Sequence, residues 1–299
     1  MAATLAFNRQ FDAQAGHAVA VAPGLVRVTA PNAGAYTFTG TNSFLIGHER
    51  LALLDPGPDD ARHLEALRLA MAGRPLAAIL LTHTHRDHSA AAARLAREFR
   101  VPLWFGGQHR LSRPLRAFEH NALRRSCDWE LVPDRTLVDG EIVPAGDAMI
   151  SVHATPGHCS NHLAFGFGDI LLSGDHVMGW NSTLVSAPDG SMADYLASLD
   201  RVIALPQQLY VPAHGGPIAD GPAHARALKA HRLTRNTQVV TAVQRGARSV
   251  GAIVAAIYPD QPLAVRMAAR MTIGAHVEYL ADRGELTVRR WPWGMRITP

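Results

Sequence analysis

Cysteine is nearly absent from this chain. Only Cys127 and Cys159 occur among 299 residues, too few for a disulfide framework, and a reducing compartment fits that scarcity. Long apolar runs are missing too: none reaches the ~18 residues of a membrane span, and Met1 to Pro23 lacks the basic start and apolar stretch of a secretory signal. These absences predict a soluble, cytoplasmic protein with no membrane partner. Charge of one sign is also lacking. The 29 basic and 25 acidic side chains leave only +4, which by itself implies no nucleic-acid partner. With 47% hydrophobic and 18% charged residues, disorder is excluded as the main state. The length suits about two domains and a sizeable core.

What is present is unevenly distributed. From Pro222 onward there are 12 Lys and Arg against 4 Asp and Glu, a net +8, whereas Met1 to Gly221 holds 17 against 21, a net −4. The tail is a basic module on an acidic body, its arginines either solvating helix faces or contacting phosphate. Sixteen histidines are the stronger departure, and they crowd into motifs.

Short apolar runs bounded by turn residues predict strands at Gly24–Ala30, Tyr36–Ile46, Leu51–Leu54, Ala77–Leu81, Val101–Phe105, Met149–Thr155, His162–Phe167, Ile170–Leu172 and Leu209–Val211. Helical spacing marks Asp59–Ala72, His88–Phe99 and Ser191–Leu205. Gly106–Gly146 is arginine-bearing and weakly periodic, and reads as an excursion over the surface. The body is thus a layered mixture of sheets and helices. After Gly221 the pattern turns helical, with Ala223–Arg245, Val250–Ile257 and Pro262–Asp282, the last bearing an apolar stripe of Val265, Ala269, Ile273, Val277 and Leu280. A short strand pair follows Gly284. Three helices and a strand pair suggest a winged helix, which divides the chain into 1–221 and 222–299.

The strongest chemical signal is Thr82-His83-Thr84-His85-Arg86-Asp87-His88-Ser89, after the run Ala77–Leu81. In an extended segment residues two apart point the same way, so His83 and His85 can face one metal, while Asp87 and His88, at the turn into a helix, are redirected towards a neighbouring position. The spacing suits two adjacent metals. Asp87 acting only as a helix N-cap would not explain three histidines. Three further candidates end other apolar segments beside glycine: His158, Asp175 and His214. Glycine there permits close backbone approach where loops converge.

With these residues in view, the chain resembles the metallo-β-lactamase superfamily, whose His-x-His-x-Asp-His hallmark is matched by His83, His85, Asp87 and His88. The likeness runs from about Gly24 to Ile218. It implies an α+β, four-layer αββα sandwich in which His83, His85 and His158 hold one metal, Asp87, His88 and His214 a second, and Asp175 bridges the two. Asp55 matches the family's early aspartate, which orients a ligand histidine. The tail resembles the winged-helix extension of one branch, which includes bacterial hydrolases and an animal mitochondrial single-strand endoribonuclease; some fungal thioesterases share its catalytic pattern.

That resemblance implies a dinuclear hydrolase, with Asp87 and Asp175 as the catalytic carboxylates and a metal-bridging hydroxide as nucleophile. Imidazole and carboxylate ligands fit two Zn²⁺ ions, and Fe or Mn as well. An Asp-His pair where many zinc β-lactamases carry cysteine argues against lactam hydrolysis. The first expectation is an anionic phosphodiester such as single-stranded RNA, held by Arg266, Arg270, Arg289 and Arg290. The alternative is a thioesterase or esterase for a small acyl substrate, the tail only narrowing the pocket. A regulator with a relic site is disfavoured by the complete ligand set. Cys159 reads as a packing residue. His162 and His176 are candidates to support the ligands, Asn181, Ser182 and Thr183 to line the cleft, and Trp180, Trp291 and Trp293 to stack on bases or simply be buried.

Overall fold

The computed structural model describes residues 5–292 and 294–299. One sheet runs in chain order: β1 (Ala18–Ala22), β2 (Leu25–Thr29), β3 (Asn42–Ile46), β4 (Leu51–Leu54), β5 (Leu76–Leu80), β6 (Leu103–Phe105) and β7 (Arg135–Thr136). The second sheet is built from β8 (Ile142–Ala145), β9 (Ala148–Ala154), β10 (Leu163–Phe167), β11 (Ile170–Gly174) and β12 (Leu209–Pro212), in the order β12-β11-β10-β9-β8. Successive side chains of a strand point to opposite faces, and both faces are used. Phe44, Ile46, Leu54 and Leu80 meet Leu163, Phe165, Leu172 and Val211 between the sheets. Leu45, Leu53 and Ile79 instead pack under α1 (Ala61–Met71) and α3 (Ala92–Phe99). Ala164 and Leu171 pack under α4 (Met192–Ile203) and the start of α5 (Gly221–Gln244). The body therefore has helices outside two sheets that share an apolar centre.

The predicted helix His88–Phe99 is two pieces, α2 (Arg86–Ser89) and α3, because the chain turns at Ala90 and Ala91, where Ala91 N donates to Gly57 O. That break gives Asp87 and His88 a direction of their own. β1 has only small side chains, and β7 and β8 are short or carry Pro144, so their apolar signal falls below that of the nine predicted runs. Gly106–Gly146 is not a surface excursion throughout. It supplies β7 and β8 and buries His109, Cys127, Leu131 and Leu137.

After α5 come α6 (Val250–Ile257), α7 (Leu263–Asp282) and an antiparallel pair, β13 (Thr287–Trp291) with β14 (Gly294–Thr298). Val239, Ile253, Val277, Leu280 and Ile297 form their core. The stripe expected on α7 begins late: Ile273, Val277 and Leu280 are buried, but Val265 is 45% exposed because the first turns of α7 extend past that core. The expected boundary at 221/222 falls in the first turn of α5, whose Ala225 and Leu228 pack with α4. Trp291 is 44% exposed and Trp293 lies outside the described residues. Among the described residues no helix is long and apolar enough to cross a membrane.

His63 on α1 is fully buried with Nε2 2.9 Å from Ser43 Oγ. Burial, only partly offset by Asp60, pushes its pKa down to about 4. The unfolded chain titrates this imidazole near 6.5, so between pH 6.5 and 4 it takes up a proton that the folded chain refuses, and stability falls as pH falls. Chelator-treated wild type should lose on the order of 2–3 kcal/mol more than His63→Gln between pH 7 and pH 4. Parallel pH dependences in denaturant titrations would show that His63 carries none of this.

Candidate metal centre

The sequence-predicted residues converge at the ends of strands. Asp55 follows β4, His83 and His85 follow β5, His158 lies beyond β9, Asp175 directly follows β11, and His214 follows β12. Gly157 lets the His158 turn pass under α4: its φ is +138°, and a Cβ there would fall 2.4 Å from Tyr195 Cα. His88 comes from α2, whose first residue is Arg86. His85, not Asp87, is the cap residue, and it makes no side-chain cap bond. Asp87 is thereby left free to face the site.

The hydrogen bonds around the rings fix the histidine tautomers. Thr82 Oγ1 gives its single proton to Asp55 Oδ2 (2.7 Å), so the contact between Thr82 Oγ1 and His83 Nδ1 (3.0 Å) has the imidazole as donor. His85 donates from Nε2 to Asp189 Oδ2 (2.9 Å), His158 from Nδ1 to Leu184 O (2.6 Å), His88 from Nδ1 to Asp55 Oδ2 (3.0 Å) and His214 from Nδ1 to Gly40 O (3.2 Å). Each neutral imidazole has one donor and one acceptor nitrogen, so all five turn a lone pair inward. His85 Nδ1 stands 3.1 Å from His83 Nε2 and 2.8 Å from His158 Nε2. His214 Nε2 stands 3.3 Å from Asp87 Oδ2 and 3.3 Å from Asp175 Oδ1. His88 Nε2, His214 Nε2 and Asp175 Oδ1 are buried with no hydrogen-bond partner among the described residues.

Facing lone pairs and carboxylates repel unless a cation or protons lie between them. Without a cation, protons take that place. Burial disfavours charge on His214, but Asp175 and Asp87 outweigh it and hold its pKa up at about 9; His88 is raised by the same two carboxylates and Asp55. Asp175 sits well below the usual carboxylate range, since His214 and His88 overcome its burial. His83 and His158 are pushed down, His158 to about 4, by burial and neighbouring imidazoles. Four overlapping groups of donors are close enough to hold a divalent cation: His83, His85 and His158 first, Asp87, His88 and His214 second, and also His83, His88 and Asp175, and His85, Cys127 and Asp189.

Several lesser candidates find places. His162 donates from Nδ1 to Thr155 Oγ1 (2.7 Å) and accepts from Asp175 N (3.1 Å). His176 is buried edge-on to Tyr195, away from the donors. Cys159 is buried with its thiol pKa raised by burial, a packing residue. Two groups escaped the sequence reading. Asp189 is fully buried and accepts from both His85 and His109, and His109 in turn contacts Thr84 Oγ1 at 2.8 Å. The only sequence signal was the turn-like Ala187-Pro188-Asp189-Gly190, which gives no hint of burial. Above the donors lies a cleft of about 330 Å³ lined by Tyr36, Leu123, Met178, Trp180 and Leu184, with Arg86 and Arg125 among the lining residues. Trp180 stacks on Phe38 at 4.8 Å.

The chain matches the family model of the metallo-beta-lactamase superfamily over residues 36–214, and it belongs to that superfamily. It is 27% identical over 295 residues to the lactamase-like protein adaB of Aspergillus niger, with 89% of this chain and 85% of that protein covered. Its identity to an atrochrysone carboxyl ACP thioesterase of Aspergillus chevalieri is 28% over 258 residues, with 81% and 75% covered. In structure it is similar to a beta-lactamase domain protein from Burkholderia ambifaria, with a TM-score of 0.79, 25% identity, and 95% and 94% of the two chains covered. The protein is accordingly a hydrolytic enzyme, and the family implies divalent metal ions in a site whose donors fit them.

Asp55 accepts from Thr82 N, Thr82 Oγ1 and His88 Nδ1 at 2.7 to 3.0 Å. Asp55→Asn puts an NH₂ against at least one of these donors, and should weaken metal binding roughly 10- to 100-fold, as loss of a ligand's outer partner does. Competition with a chromophoric chelator measures this, and wild-type affinity in the variant would remove Asp55 from the site.

Proposed function

We propose that the protein is a dinuclear metal-dependent hydrolase of a thioester or ester with an apolar acyl group. The observation that carries the metal part is the inward set of five imidazole lone pairs and two carboxylates. His83, His85 and His158 would hold one ion and Asp87, His88 and His214 the other. Asp175 would serve both, since Oδ2 is 3.5 Å from His158 Nε2 and Oδ1 is 3.3 Å from His214 Nε2. Zn²⁺ suits this donor set, as do Fe and Mn. Divalent ions bound there supply the positive charge that acidifies a water molecule and polarises the oxygen of the bond to be broken. The side chain of Asp87 is 30% exposed against 9% for Asp175, and both line the cleft, so Asp87 is the carboxylate better placed to meet entering water.

The substrate reading follows from the cleft. Tyr36, Leu123, Met178, Trp180 and Leu184 offer an apolar wall for an acyl group, and Arg86 and Arg125 suit an anionic end. The naming of one relative as an acyl-carrier thioesterase supports the same choice. Counting only Asp87, Asp175 and hydroxide leaves a positive excess that favours phosphodiesters. The outer carboxylates Asp55 and Asp189 remove that excess.

RNA cleavage is the weaker reading. We take α5, α6, α7 and the pair β13–β14 as a winged-helix-like unit, residues 222–299, but none of its described residues lines the cleft. Half of its twelve cations are committed internally. Lys229 pairs with Asp200, Arg283 with Glu285 and Arg290 with Glu278; Arg235 lies over Tyr258; Arg248 donates to Val243 O; and Arg232 is buried.

Metal-loaded protein should therefore show kcat/KM at least 100-fold higher on an acyl thioester than on a bis-aryl phosphodiester or single-stranded RNA, and chelator should abolish it. Replacing Arg266 and Arg270 with glutamine should leave thioester turnover unchanged. RNA as the best substrate, with a salt slope that flattens by roughly 1.4 in that double variant, would reverse the assignment.

A further inference from the structure

We propose that the C-terminal helices clamp the loop 175–190 between β11 and α4, and that Arg232 on α5 is a positioning residue which sets the orientation of His158 through that loop. The inference rests on the metal-centre reading above.

Arg232 is the group that calls for an account. Its guanidinium is 3% exposed, has no carboxylate partner among the described residues, donates through Nη2 to Thr183 O and lies 5.3 Å from the Tyr195 ring centroid. Burying an unpaired cation is costly, and an apolar side chain would fill the space more stably. What the charge secures is a single peptide oxygen. That oxygen precedes Leu184, whose own carbonyl accepts the Nδ1 proton of His158 (2.6 Å), while Thr183 Oγ1 lies 2.6 Å from Asp175 O. Adjacent peptide planes share a Cα, so a fixed Thr183 carbonyl limits where the Leu184 carbonyl can point.

The same loop is gripped a second time. Glu278 on α7 pairs with Arg113, and the neighbouring Ser112 donates from N (2.9 Å) and contacts through Oγ (2.8 Å) Pro188 O, with Gly190 O 3.0 Å from that hydroxyl. Between those two carbonyls sits Asp189, the acceptor of the His85 Nε2 proton. Two of the three histidines of the first donor group thus take their outer bond from a loop that α5 touches at Thr183 and that the Ser112–Arg113 segment, paired with α7, grips around Asp189.

The test uses the full chain loaded with Co²⁺. Arg232→Met should lower cobalt affinity at least tenfold in chelator competition, shift the ligand-field spectrum, and reduce kcat while KM stays within twofold. Metal-free variant and wild type should melt alike, or the variant later. Wild-type affinity and spectrum in the variant would overturn the clamp, as would a loss confined to metal-free stability, which marks a merely structural residue. If Arg232→Met fails to fold, Arg232→Gln, which keeps a donor for Thr183 O, and Glu278→Gln carry the same test: both should fall between wild type and the unbound state in affinity, and wild-type values in both would overturn the proposal. Wild-type protein that binds no cobalt would sink the metal reading itself, a result distinct from one in which wild type and variants bind equally.

Discussion

Five buried imidazoles and two carboxylates aim only lone pairs at a common centre, and only positive charge can hold such an arrangement together. The rest of the structure serves that constraint. Each ring must surrender its far proton to an acceptor, and the acceptors come from distant parts of the chain: Thr82, Asp55, Asp189, Leu184 and Gly40. Strand ends can bring them together because both sheets are fixed from within by Phe44, Leu80, Phe165 and Leu172. The two donor groups are not alike. His88 and His214, beside Asp87 and Asp175, attract protons when no cation is there, and the buried His83 and His158 repel them.

Charge around the centre decides more about substrate than charge along the chain. The net +8 of the tail suggests an anion-binding surface, but a count cannot tell a free guanidinium from one that caps a carbonyl or lies on a tyrosine. Arg248 and Arg235 do the latter two. The same applies at the centre, where Asp55 and Asp189 add carboxylates that a list of ligands omits. Specificity then falls to the wall of the cleft, most of whose exposed surface is apolar.

Much of this was legible in the sequence. The cluster from His83 to His88 could be read because its ligands lie within six positions, and His158, Asp175 and His214 because each ends an apolar run beside glycine. The strands that were read carry large alternating side chains; β1, made of alanine and valine, and the two-residue β7 do not. Asp189 and His109 stayed hidden for another reason. They lie 80 residues apart, and their pairing exists only once Thr84 and His85 bring the two segments together. The split between α2 and α3 was equally invisible, since the alanine run favours continuous helix and only the bond from Ala91 to Gly57 breaks it.

Loop 175–190 joins the metal centre, the cleft and the C-terminal helices. It begins with Asp175, whose carboxylate oxygens face His158 and His214, carries the cleft residues Met178, Trp180 and Ser182, supplies the outer acceptors of His158 and His85, and is touched by α5 and by the segment that α7 holds. A loop with so many obligations cannot vary its cleft face without disturbing the acceptor of His158, because Ser182 and Leu184 flank the carbonyl that Arg232 holds. Diversity of substrate is therefore easier to reach from Tyr36, Leu123 and Arg125, which line the cleft on segments outside that loop.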